Sequence, residues 1–298
     1  VNPEISATDR PIDRVSRDSR LDAIADAVQP IVQGALEATG GASSPISDLL
    51  HGRWLGHALH PLVTDIPIGA WSLTAAFDVL TAFGQHDLEP GADMALAIGI
   101  AGSVAAAATG FAEWSDTVDE PRRLGAAHAI LNSSALACYA VSLALRRAGR
   151  RSAGIVTGFL GYALTGAAAY LGGELAFGHG LGVKHTAEAI TPKASFEPVC
   201  AADALADGET RPAFAGEIAL LLTRSGETVS AISGICTHRG APLRDGSLEE
   251  PCVRCPWHGS LFDLHDGTVL AGPATFDLQR FDARIEEEQI TIRPAFPT

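Results

Sequence analysis

Between residues 62 and 171 the chain carries four long apolar segments, and nothing else in the sequence limits its fold so strongly. They run over residues 62–83, 94–112, 124–145 and 153–171, each close to the length that crosses a bilayer. Helices that are apolar all round need lipid or a large protein core around them. A soluble all-helical core is the alternative, because the segments are rich in alanine rather than leucine. Successive apolar spans with short connections argue against it. The small residues have their own use. Gly154-x-x-x-Gly158, with Gly99, Gly102, Gly110, Gly161 and Gly166, lets helix backbones approach closely in a membrane and leaves homo-oligomerisation open. Hydrophobic residues make up 47% of the chain and charged residues 19%, and the shortage of charge is confined to this stretch.

The flanks read differently. Residues 1–20 are polar and lack the apolar core of an export signal. Residues 21–37 have apolar positions at helical spacing despite Pro30, which suits an amphipathic helix lying on a membrane or on the protein itself. Residues 40–45, rich in Gly and Ser, read as a linker. Beyond a polar connector, strand-like runs at 218–223, 228–232, 281–285 and 289–293 are separated by Gly and charged turns. The expected architecture is α + β and multidomain. A polar N-terminal region (1–47) precedes a four-helix transmembrane bundle (48–183), a linker (184–195) and a small antiparallel β domain (196–298).

The β domain holds the chemistry. The cysteines are Cys138, Cys200, Cys236, Cys252 and Cys255. An odd set, with three crowded near two histidines, reads as metal ligands plus spare thiols rather than a disulfide framework. The pattern is Cys236-Thr-His238-Arg-Gly-Ala-Pro-Leu and, after sixteen intervening residues, Cys255-Pro-Trp-His258-Gly-Ser. Two cysteine–histidine pairs on separate loops suit a two-iron cluster with thiolates on one iron and imidazoles on the other. Structural zinc is the competing assignment, encouraged by Cys252-x-x-Cys255. Zinc ligands come more often as Cys-x(2–4)-Cys with His-x(3–5)-His, a pattern absent here.

Residues 196–294 resemble the Rieske family. The likeness extends past the two pairs to Gly259-Ser260-x-Phe262-Asp263 and to Gly272-Pro273-Ala274, which is similar to the proline loop that covers the cluster. It implies a [2Fe–2S] cluster held by Cys236, His238, Cys255 and His258, with buried cysteines and the histidines as the solvent-facing exit for electrons. Quinol-oxidising members of the family usually carry one further cysteine in each ligand loop, joined as a disulfide. Ala241 and Trp257 stand in those places, so the resemblance is to the ferredoxin and oxygenase branch, with a lower potential and no need of an oxidising compartment. Cys252 is then a buried, inert thiol leading into the second ligand loop.

The apolar half carries polar residues that need an account. Leu55-Gly-His57-Ala-Leu-His60-Pro61-Leu62, Asp65-Ile-Pro67-Ile-Gly69, Gly110-x-x-Glu113-Trp114, His128-Ala-x-x-Asn132, and Gly172-Gly-Glu174-Leu with Gly178-His179-Gly180 resemble an uncharacterised family of small bacterial four-helix membrane domains over residues 48–185. With four spans, His57, His60, Glu113, His128, Glu174 and His179 all fall at one membrane face, from which the N-terminus and the β domain also emerge. Ionisable groups in a membrane commonly mark functional sites. Three readings stay open: axial ligands of a b-type haem, a quinone site that exchanges protons, or helix caps and anchors at the lipid boundary. Asp65 and Asp78 lie deeper in the first span, where each needs a partner, and Pro67 between them interrupts the backbone ladder.

A net charge of −14 argues against nucleic acid, whose phosphates need Lys and Arg. Forty residues follow His258, too few for the mononuclear-iron domain of a Rieske oxygenase. The expected function is one-electron transfer between a protein donor and a protein acceptor, by a carrier or oxidoreductase subunit embedded in the lipid bilayer of a bacterial inner membrane. A redox sensor, whose cluster state alters partner contacts without sustained electron flow, is the second reading. Arg146, Arg147, Arg150 and Arg151 between the third and fourth segments would, by the positive-inside rule, put the cluster outside. Arg53, Arg122, Arg123, Lys184 and Lys193 on the other face, with the missing export signal, favour a cytoplasmic cluster.

Overall fold

A computed structural model describes residues 10–186 and 195–295. The connector expected over 184–195, with Lys193, lies mostly outside the described residues. The chain divides into two compact units. One joins the residues up to Ala35 with Leu59–Leu181, and the other joins Leu36–Ala58 with the residues from Gly182 onward. The segment Leu36–Ala58 was expected partly in the polar N-terminal region and partly in the membrane domain; it folds with the C-terminal unit.

The first unit contains α1 (Pro11–Ser16) and α2 (Arg20–Ala38) up to Ala35. After α3 (Pro45–His51), which belongs to the other unit, come α4 (His60–Ala82), α5 (Glu89–Trp114), α6 (Asp119–Arg147) and α7 (Arg151–Gly173). A π-helical turn, Glu174–Gly178, continues α7. α4 packs along α5 and α6 along α7, and further contacts join α5 to α6 and α4 to α7. Among the described residues, three helical stretches, His86–Trp114, Asp119–Arg147 and Arg151–Gly178, are long and apolar enough to cross a membrane. The sequence suggested four. α4 is not among the three, and Asp65 is exposed on its surface rather than partnered in a polar pocket.

Glycines shape the packing of this unit. A methyl group at Gly99 would come within 2.2 Å of Trp71 Nε1, and one at Gly125 within 2.1 Å of Trp114 Cδ1; the absent side chains are what admit the two indoles. Trp71 in turn stacks on Tyr139 with ring centroids 4.1 Å apart. Asp78 does find a partner. Arg146, with none of its side chain exposed, donates from Nη1 to Asp78 at 2.8 Å and to Asp93 at 3.2 Å, and its Nη2 also binds Asp78. Arg151 completes the network on Asp93 at 3.1 Å. Two of the four arginines counted toward membrane orientation are therefore neutralised by internal pairing. α2 lies on its own protein: Gln29 Nε2 donates to the carbonyls of Trp114 and Thr117, and Arg123 pairs with Asp22 at 2.9 Å.

The second unit is antiparallel β. Its strands are β1 (Glu197–Ala201), β2 (Thr210–Ala215), β3 (Ile218–Ser225), β4 (Thr228–Ser233), β5 (Ser247–Glu249), β6 (Cys252–Arg254), β7 (Leu261–Asp263), β8 (Val269–Ala271), β9 (Arg280–Glu286) and β10 (Gln289–Pro294). They form a six-stranded sheet in the order β1-β10-β9-β4-β3-β2 and a four-stranded sheet β5-β6-β7-β8. Alternation along β3 divides the core in two, as a pleated strand must. Leu220 and Leu222 join Ala231, Phe281, Ile290 and Ile292 on one face. Leu221, paired in register with Ile232, turns the other way toward Cys236, Val253, Cys255 and Phe262. The second core is the floor of the loops considered next.

Candidate metal centre

Two loops in the C-terminal unit are built on one plan. In the first, Cys236 N–H donates to the Ala241 carbonyl at 2.8 Å and Gly240 N–H returns to the Cys236 carbonyl at 3.0 Å. In the second, Cys255 N–H donates to Ser260 at 2.8 Å and Gly259 N–H returns to Cys255 at 3.2 Å. Gly240 and Gly259 have φ of 74° and 76°, a left-handed conformation that favours glycine. Each loop thus pins its cysteine at the base and carries a histidine on the arc, two residues on in the first loop and three in the second.

The arrangement brings together the four residues singled out by spacing. Cys236 and Cys255 are 1% and 3% exposed, and their sulfurs lie within hydrogen-bonding reach. The shared proton pulls Cys255 well below the usual thiol range and, with burial, pushes Cys236 far above it. Backbone N–H groups of His238 and Arg239 point at the first sulfur, and those of His258 and Trp257 at the second; such donors favour the thiolate. The rings of His238 and His258 meet edge-on with centroids 5.1 Å apart. Burial holds His238 well below the ordinary histidine range, hence neutral. Both histidines are half-buried, and Trp257 beside them is 57% exposed.

Residues not singled out as site residues brace the loops. Thr237 Oγ1 donates to the Phe276 carbonyl at 2.6 Å, and Ser260 Oγ accepts from Ala274 N–H at 3.0 Å. Both ligand loops are thereby tied to the segment that includes Gly272-Pro273-Ala274. Ser260 lay inside the motif; Thr237 carried no signal beyond its place between Cys236 and His238. Cys252 is buried on β6, next to the second loop.

A family model described as Rieske [2Fe-2S] domain matches residues 195–282, and one described as Predicted membrane protein (DUF2231) matches residues 56–185. The apoptosis-inducing factor 3 of Mus musculus is 37% identical over 95 residues, which are 32% of this chain and 16% of that protein; the chain spans only that small part of it. The anthranilate 1,2-dioxygenase ferredoxin subunit of Burkholderia cepacia is 29% identical over 99 residues, 33% of this chain and 92% of that protein. Ferredoxin CarAc of Metapseudomonas resinovorans is 30% identical over 95 residues, 32% of this chain and 89% of that protein. The chain belongs to the Rieske family. Its C-terminal domain binds a [2Fe–2S] cluster, preceded by a predicted membrane domain.

The side chains of this Rieske domain fit such a group. His238 Nδ1 is buried without a hydrogen-bond partner, a costly state for a nitrogen lone pair unless a metal takes it. Two buried thiols in contact, one primed to ionise, are the matching sulfur donors.

The other group of residues fares differently. His57 belongs to the C-terminal unit, with Nδ1 on the neighbouring Ala58 carbonyl. His60, Glu113, His128, Glu174 and His179 belong to the helical unit. Thr109 gives its hydroxyl hydrogen to Ala106 and accepts from His60 Nδ1 at 3.1 Å. His128 uses both ring nitrogens, Nδ1 on the Ala168 carbonyl at 2.8 Å and Nε2 on Asn132 at 3.0 Å. Glu174 pairs with Arg10 at 3.2 Å, and Glu113 is buried. A haem or quinone is not supported at these residues, and at His128 both ring nitrogens are already bonded within the helical unit.

Proposed function

We propose that Cys236, His238, Cys255 and His258 hold the [2Fe–2S] cluster, and that the chain is a one-electron carrier anchored in a bacterial inner membrane by its helical unit. The observation that carries this reading is the meeting of two buried thiols and two edge-on imidazoles on a pair of identically built loops. When bound, the cluster accepts and returns one electron. The protein's part is to hold it. Cys236 and Cys255 anchor it from the buried side, backbone N–H groups offset thiolate charge, and His238 and His258 face the outer side as the route for the electron. The exposed Trp257 and the half-buried histidines offer a docking point to a protein partner, as the ferredoxin components named among the relatives support. Ala241 and Trp257 leave the loops without a bracing cysteine pair, which suits a reducing compartment and hence a cytoplasmic cluster.

The test is EPR and elemental analysis of the detergent-purified chain. A reduced-state Rieske signal with two irons and two sulfides per chain is expected. Zinc in place of iron would overturn the ligand reading. A cluster that reduces but is not re-oxidised by any protein acceptor would favour a sensor over a carrier.

A further inference from the structure

Residues 36–55 lie outside both family matches, and the match to the predicted membrane family opens at residue 56. Within that unassigned stretch α3 is turned inside out. Ser47 and His51, one helical turn apart, are 2% and 3% exposed, and His51 Nδ1 lies 2.9 Å from the Ser47 carbonyl. Asp48 beside them accepts from Gly272 N–H at 3.1 Å, and its carboxylate is held by Arg53 at 2.6 Å. Ser43, two residues before the helix, accepts from Arg254 Nη1 at 3.3 Å. The polar side of α3 is therefore the side fixed to the Rieske unit.

The apolar side faces outward. Ile46 and Leu49, three residues apart and so on one side of the helix, are 48% and 52% exposed. Trp54, in the short helical turn Arg53–Leu55, is 61% exposed. Pro45 is the one other exposed residue between positions 45 and 55, so every exposed side chain of that stretch is apolar. A surface helix ordinarily does the reverse, turning its apolar stripe to the core and its polar residues to water. An outward apolar face marks a contact with something outside the fold.

Three observations choose lipid as that contact. Trp54 stands two residues before the match to the predicted membrane family, so the chain itself keeps this face close to the bilayer that anchors it. Tryptophan favours the boundary between membrane and water. Arg53, the one arginine or lysine between positions 45 and 55, is taken up by Asp48, and the face lacks the polar rim with which protein partners are met.

We propose that α3 and the turn after it are a membrane-surface foot of the Rieske unit, with Ile46, Leu49 and Trp54 seated in the interfacial layer of the bilayer. The proposal rests on the membrane anchoring read above. Ser43 and Asp48 tie the same segment to Arg254, beside the second ligand loop, and to the proline loop. The foot thus sets the cluster domain at the lipid surface rather than leaving it on a free tether.

The experiment uses the full, cluster-loaded chain at one copy per phosphatidylcholine nanodisc, beside the variant Trp54→Phe. Fluorescence present in wild type and missing from the variant belongs to Trp54. That component is expected to lose most of its intensity to lipids brominated on the acyl chain and to keep most of it against aqueous acrylamide. Replacing Ile46→Asp together with Leu49→Asp should reverse the pattern, opening Trp54 to acrylamide while the Rieske EPR signal stays unchanged. A Trp54 component that acrylamide quenches in wild type would overturn the foot. So would one shielded from both quenchers, which would make the face a protein contact. A chain released from membranes by alkaline carbonate would sink the anchoring reading and this proposal with it, whereas a carbonate-resistant chain whose Trp54 is open to acrylamide sinks the foot alone.

Discussion

Each unit of this molecule buries histidines, and the two sets are used in opposite ways. In the helical unit, His128 bonds through both ring nitrogens to Ala168 and Asn132, and His60 bonds to Thr109. In the Rieske unit, His238 keeps a buried Nδ1 with no partner, and the buried cysteines near it have no apolar reason to touch. Buried polar atoms are normally satisfied, so a satisfied histidine is explained by the fold and an unsatisfied one asks for a ligand. Burial of an ionisable group is therefore a poor guide to function by itself; the state of its lone pairs separates the brace from the binding site.

The sharpest way to break that contrast is to remove one residue from each set. Cys255→Ser takes away a sulfur donor and is expected to abolish the EPR signal and bound iron completely, while far-UV circular dichroism keeps the helical unit's signature. Retention of the Rieske signal in that variant would mean the cluster is held elsewhere. The next largest effect belongs to the helical unit. Asp78→Ala leaves the Arg146 guanidinium, wholly enclosed, with only the partial support of Asp93, and breaking such a pair costs about 3–5 kcal/mol. Thermal unfolding in detergent reads the loss. The double replacement Asp78→Leu with Arg146→Met should recover much of it, since no charge is then left without its partner.

How much of this was legible in the residues follows the same division. The four candidate ligands could be proposed from the residues because cluster chemistry restricts residue type and spacing, whatever the surrounding fold. Long strands were readable from alternation: the runs at 218–223, 228–232, 281–285 and 289–293 fall within β3, β4, β9 and β10. β5 to β8 were not, because three residues are too short to show a period. The apolar segments coincide with α4 to α7 within a few residues. Their longer partnerships were hidden, since neither the Asp78–Arg146 pair nor the bond of His128 to Ala168 joins neighbours in sequence. Residues 40–45 read as a linker on their Gly and Ser content, yet Ser44 caps α3 and Ser43 holds Arg254. Composition gave the local tendency there, and tertiary contacts overrode it.

A smaller effect tests the satisfied histidine directly. His128→Ala removes an acceptor and a donor inside the helical unit and is expected to cost about 1–3 kcal/mol, the range for leaving buried partners unpaired. Its optical and EPR spectra should match wild type. Loss of a haem-like absorption band in this variant would end the contrast drawn between the two units.

The smallest effect comes from the exposed counterpart of the buried ion pair. Glu249 pairs with Arg254 at 2.7 Å, and the guanidinium holds its carboxyl below the usual carboxylate range. A carboxyl whose folded pKa is depressed adds stability that is present above its unfolded value, 4.5, and disappears as pH falls through the lower folded one. Solvent screens this pair, unlike Asp78 with Arg146, so its whole contribution is small and weakens with salt. Glu249→Gln should melt only slightly below wild type at neutral pH, and the two curves should merge in acid or at high ionic strength. A large difference that persisted in strong acid, with Glu249 protonated in both folded and unfolded states, could not come from the charge pair, and would show that this side chain holds the second ligand loop by geometry, as Ser43 does from the other side of Arg254.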